Sequence, residues 1–124
     1  MKLNGATAIG IEKQMPAIGH AQYVNVTGAL AVACTLSPST AWQFESIRIH
    51  LSAAGGAGDL TATIDHHLGP AYDFNPLTQD MTSETDVIYS PERPMEFRKG
   101  DRLVIAWANG NSRTYGLEIV WKER

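Results

Sequence analysis

The stretch Val24-Asn25-Val26-Thr27-Gly28-Ala29-Leu30-Ala31-Val32-Ala33-Cys34-Thr35-Leu36 decides how this chain folds. Val24, Val26, Leu30, Val32, Cys34 and Leu36 hold even positions, while Asn25, Thr27, Ala29, Ala31 and Ala33 hold odd ones. That period of two belongs to extended backbone, whose successive side chains point to opposite faces. Gly28 marks a bend in the run, and Ser37-Pro38-Ser39-Thr40 ends it as a turn.

The rhythm continues toward the C-terminus. In residues 44–52, Ile47, Ile49 and Leu51 share one face, with Ser46, Arg48 and His50 on the other. A glycine-dense connection through Gly55, Gly56 and Gly58 leads to residues 60–65, where Leu60, Ala62 and Ile64 alternate with Thr61, Thr63 and Asp65. This segment reads as the return strand of a hairpin. Residues 66–86 hold Pro70, Pro76, several acids, Tyr72 and Phe74, and read as loops with at most a short strand. Residues 87–89 and 95–97 are short strands flanking Pro91 and Pro94, suited to a sheet edge where missing donors do no harm.

Gly100 sits at the left-handed position of a tight turn. Residues 103–107 follow as a buried strand, then Asn109-Gly110-Asn111 as a hairpin turn, then residues 115–121 as its partner. Tyr115, Leu117, Ile119 and Trp121 face one way. No stretch carries a helical period of ten or more residues. The seven or eight strands predict an all-β fold, an antiparallel β-sandwich of jelly-roll type over residues 21–124. Its core is expected to take Val24, Val26, Val32, Ile47, Ile49, Ile64, Leu103, Ile105, Leu117 and Ile119.

Residues 1–20 differ from the rest. Gly5, Gly10, Gly19 and Pro16 discourage regular structure, yet Leu3, Ile9, Ile11, Met15 and Ile18 are too many apolar groups for a solvated tail. Two readings stand: a first strand of the domain itself, or an extended N-terminal arm that docks these five residues on a partner.

With 124 residues and 13.5 kDa, the size suits one domain. Folding such a chain buries about two-thirds of its surface. A net charge of −3 with scattered Lys and Arg gives no footprint for nucleic acid or anionic membrane. No apolar run is long enough for a transmembrane helix, and the N-terminus lacks the apolar block of a signal peptide, so synthesis in a cytoplasm is expected. Cys34 alone can form no intramolecular disulfide and reads as a small buried hydrophobe.

The candidate chemistry stays incomplete. Asp65-His66-His67 carries metal-ligand types, but neighbours in a strand point apart and no second cluster completes a site. Asp73, Asn75, Asp80, Glu84 and Asp86 offer hard oxygens without the order of a twelve-residue calcium loop. The run Gly55 to Gly58 lacks the Lys-Ser or Lys-Thr of a phosphate loop. His50 could serve as a base, but no nucleophile motif accompanies it. Trp42, Tyr72 and Trp107 could stack sugars or could fill the core. The expectation is no catalytic residue, no metal and no cofactor.

Residues 50–65, with Ala71-Tyr72-Asp73, and the ending from Gly100-Asp101-Arg102-Leu103 through Asn109-Gly110-Asn111 to Gly116-Leu117-Glu118 resemble small β-rich virion structural proteins of tailed bacteriophages. The resemblance covers roughly residues 44–121 and rests on glycine and turn patterns. It implies a capsid decoration, or cement, protein: a homotrimer on the virion surface, bound outside the major capsid protein. A head–tail junction or tail component, or a carbohydrate- or receptor-binding module, is the alternative.

Overall fold

The computed structural model describes residues 21–124, so the docking arm expected at Leu3, Ile9, Ile11, Met15 and Ile18 lies outside the described residues. The described chain is all-β. Its strands are β1 (Ala21–Gly28), β2 (Val32–Leu36), β3 (Trp42–Leu51), β4 (Asp59–Asp65), β5 (Phe74–Asp80), β6 (Asp86–Tyr89), β7 (Met95–Phe97), β8 (Arg102–Trp107) and β9 (Tyr115–Glu123). A single 3-10 turn, Pro70–Tyr72, precedes β5.

The strands form two antiparallel sheets. One has the order β1-β9-β3-β6, with β7 also pairing β3; the other has the order β2-β8-β4-β5. Between them, Trp42, Phe44, Ile47, Ile49, Leu51, Leu60, Met81, Leu103, Ile105 and Ile119 are fully enclosed. Trp42 stacks on Phe97 at 4.0 Å between ring centroids and meets Trp121 edge-on at 6.2 Å. Such aromatic pairs add about 0.5–1.5 kcal/mol beyond their buried area.

Five expectations need correcting. β3 and β4 are not a hairpin, because β3 lies in the first sheet while β4 pairs β5 and β8 in the second. β8 and β9 are likewise split between the sheets, so the Asn109-Gly110 turn carries the chain across the core. Residues 66–86 contain a seven-residue strand, β5, laid antiparallel along β4. Leu30 is 80% exposed, because β1 stops at Gly28 and the following turn breaks the alternation. Val24 and Val26 are half-buried against the core instead of enclosed in it.

Other expectations match the structure. β6 and β7 share the outer edge of β3, with Pro91 and Pro94 between them. Gly100 has φ 93°, and the turn closes where the Asp101 amide donates to the Arg98 carbonyl at 3.1 Å.

Candidate functional site

Two concave surfaces emerge from this pairing. The first lies on the outer face of the first sheet. Antiparallel register sets Thr27, Gly116, His50 and Asp86 in one row across β1, β9, β3 and β6. Asn25, Glu118, Arg48 and Ile88 form the adjacent row. Gly116 contributes no side chain to the middle of the first row, so the sheet is open there and a groove of about 390 Å³ results.

The groove's charges are matched across the strands. Arg48 Nε lies 3.0 Å from Glu118 Oε1, and His50 Nδ1 lies 2.7 Å from Asp86 Oδ1. The hydrogen bond to His50 holds the Asp86 carboxyl below its ordinary pKa. Both pairs lie on a solvated face, where screening by water leaves such contacts little net effect on stability. His50 is thus engaged by a carboxylate on a solvated sheet face.

The second surface is an apolar cleft of about 530 Å³ lined by Ile64, His66, Phe74, Pro76, Met95 and Glu96. It lies between β5 of one sheet and β7 of the other. His66 meets Phe74 edge-on at 6.0 Å. His66 Nδ1 lies 3.1 Å from Oδ2 of the buried Asp101, close enough for an ion pair but off the line of a hydrogen bond. The same Asp101 oxygen accepts the Arg98 amide at 2.8 Å. Leu68, Tyr72 and Phe74, all well exposed, follow one another along the connection leading into β5.

The residues singled out in the sequence do not converge. Asp65 accepts the His67 amide at 2.8 Å and pairs with Arg102; the His67 amide, then Arg102, lowers its pKa. His66 turns instead toward Asp101. His67 occupies a left-handed turn position with φ 62°. Among the described residues no group of three His, Cys, Asp or Glu gathers as a metal site.

Asn75 accepts from Thr63, Asp80 accepts the Thr82 amide at 2.9 Å, and Asp86 binds His50, so the acids work locally along β5 and β6. Gly55 is a packing position: a Cβ there would stand 2.6 Å from the Met81 carbonyl oxygen and 3.2 Å from the Trp107 ring. Trp42 and Trp107 are buried while Tyr72 is exposed, so the three form no sugar platform. Burial raises the pKa of the half-buried Cys34 thiol, which disfavours the reactive thiolate.

Sequence reading missed both concave surfaces, because each depends on strand pairing. The available signals were Gly116 in mid-strand and the apolar Phe74 between Asp73 and Asn75.

No family model matches the chain, and no curated protein matches it. Among solved structures, the nucleoplasmin-like N-terminal domain of Drosophila FKBP39 is similar at a TM-score of 0.43 and 11% identity, covering 86% of this chain and 92% of that one.

Proposed function

We propose that this chain is a non-enzymatic structural protein of a tailed-bacteriophage virion, a decoration protein that binds the outside of the major capsid shell and stabilises it as a homotrimer. The observation that carries this reading is the apolar cleft between β5 and β7, next to the exposed Leu68, Tyr72 and Phe74. A small sandwich that leaves such side chains in water gains stability by covering them with another protein. The resemblance of residues 44–121 to phage virion proteins, carried by glycine and turn patterns, supports the major capsid subunit as that partner.

The finer reading of the fold is a jelly roll. The two strand orders support it, because the chain passes from β1 to β2, β2 to β3, β3 to β4, β5 to β6, β7 to β8 and β8 to β9 by changing sheets. The non-enzymatic reading is supported by the commitments of the polar side chains: His50 to Asp86, His66 toward Asp101, and Asp65 to Arg102.

Mixing the purified chain with particles of its own phage that lack it, followed by sedimentation, tests the assignment. Wild-type protein is expected to travel with the shells, and Phe74→Asp to stay in the supernatant. Wild-type protein that stays behind, or a Phe74→Asp variant that binds equally well, would contradict the reading.

A further inference from the structure

We propose that the side of the sandwich formed by β1, β2 and the turn between them is the surface through which copies of this chain associate. Between Lys13 and Glu45 the sequence contains no Lys, Arg, Asp or Glu. That uncharged stretch includes all of β1, all of β2, their connecting turn and the loop into β3. Every formal charge of the described residues therefore lies in other parts of the sandwich; Glu123 of β9 reaches β1, where its carboxylate accepts from Gln22 at 3.2 Å.

The topology gives this composition its meaning. β1 stands at one end of the first sheet and pairs only with β9 among the described residues; β2 stands at the corresponding end of the second and pairs only with β8. Three residues, 29–31, join them, so the two edges lie on one side of the molecule. Each carries a row of backbone N–H and C=O groups turned away from its own sheet. Folded proteins ordinarily blunt such edges with charge, proline or bulges.

The opposite side has those defences. Pro76 interrupts β5, Asp59 and Asp80 stand at the ends of β4 and β5, and β6 and β7 carry Asp86 and Glu96 with Pro91 and Pro94 between them. β1 and β2 have neither charge nor proline. They instead present the exposed Tyr23 and, in the turn, Leu30. Asn109 donates to the Leu30 carbonyl at 2.9 Å and so fixes the turn in place before any partner arrives.

The occupant that fits is a second copy. A lone strand added to β1 covers one edge and leaves β2 open. Covering both needs a partner surface as wide as the sandwich. That surface must also be uncharged, since the centres of protein interfaces are depleted of charge. This chain's own β1–β2 side meets both requirements, and closed symmetry then buries every edge without building a fibre. The inference is independent of any place in a virion.

Sedimentation velocity of the full chain at tens of micromolar tests it, using two matched pairs of substitutions at exposed sites. Asn25→Lys with Ala33→Lys charges the proposed surface; Thr78→Lys with Ile88→Lys charges the opposite edges. Wild type and the second pair are expected to sediment as the same oligomer, and the first pair to weaken association by about tenfold or more, as like charges brought together do. Amide exchange in wild-type Ala21–Gly28 is expected to slow as protein concentration rises, a readout that needs no variant. A monomeric wild type, equal behaviour of the two pairs, or concentration-independent exchange in β1 would overturn the proposal. So would loss of association on deleting residues 1–20 while the first pair still assembles.

Discussion

Asn109 Nδ2 donates to the carbonyl oxygen of Leu30 at 2.9 Å, tying the turn after β8 to the turn after β1. The same buried amide donates to the Arg113 carbonyl and accepts the Arg113 N–H, both at 2.9 Å. Its backbone is left-handed, φ 52°, a conformation asparagine tolerates better than most residues. Asn109→Gly keeps that conformation and removes the three bonds. It is expected to cost about 1–3 kcal/mol, the penalty for stranding buried polar groups, in a urea titration. An unchanged midpoint would show that the amide is not holding the two turns together.

Gly55 and Gly116 make a matched pair. An alanine at Gly55 would drive its Cβ against the Met81 carbonyl, whereas one at Gly116 meets nothing within 4 Å. Gly55→Ala is therefore expected to destabilise by about 1–3 kcal/mol through overpacking. Gly116→Ala is expected to be neutral or stabilising by up to about 1 kcal/mol, because glycine in a strand carries excess unfolded-state entropy. Thermal denaturation of both variants checks the contrast.

Burial predicts where truncation hurts. Leu117→Ala empties a buried position between the sheets and is expected to cost about 2–5 kcal/mol. Ile88→Ala, at a residue 71% exposed, is expected to stay within about 0.5 kcal/mol of wild type. Chemical denaturation giving similar losses for both would contradict the assigned core.

The sequence exposed the strands better than their partners. Alternation alone located Ile47 and Ile49 in β3, Leu103 and Ile105 in β8, and Leu117 and Ile119 in β9, because one buried face imposes period two. The Gly55–Gly58 and Asn109-Gly110 turns announced reversals of the chain. A reversal has the same local chemistry whether it closes a hairpin or crosses to the facing sheet, so both were read as hairpins. β5 escaped notice because an edge strand with Phe74 exposed and Pro76 inside lacks an apolar face to alternate. The two concave surfaces were hidden for a different reason: Gly116 and His50, for example, become neighbours only through the β9–β3 register.

Acid should weaken the fold. Asp65, Asp80 and Asp86 each hold their carboxyl below the ordinary aspartate value of 3.8. The chief causes are the His67 amide for Asp65, the Thr82 amide for Asp80 and the His50 ring for Asp86. Folding thus favours the ionised forms, so their contribution is fully present above the unfolded pKa and is lost as pH falls through the lower folded values. Urea midpoints are expected to be level from neutral pH down to about 5 and to drop below the ordinary carboxylate range. The slope should be shallow, because Asp80 and Asp86 face solvent and Asp65 is only half-buried. A midpoint that rises on acidification would contradict these assignments.

Counting and placing the copies of this chain in particles of the proposed phage, by a cryo-electron map, tests the proposed decoration role most directly. A decoration protein is expected by the hundred, as threefold clusters of sandwiches on the outer surface of the capsid, following the symmetry of the shell. A single ring of about six or twelve copies at one vertex, the pattern of a junction or tail component, would contradict the account, as would a virion without the chain.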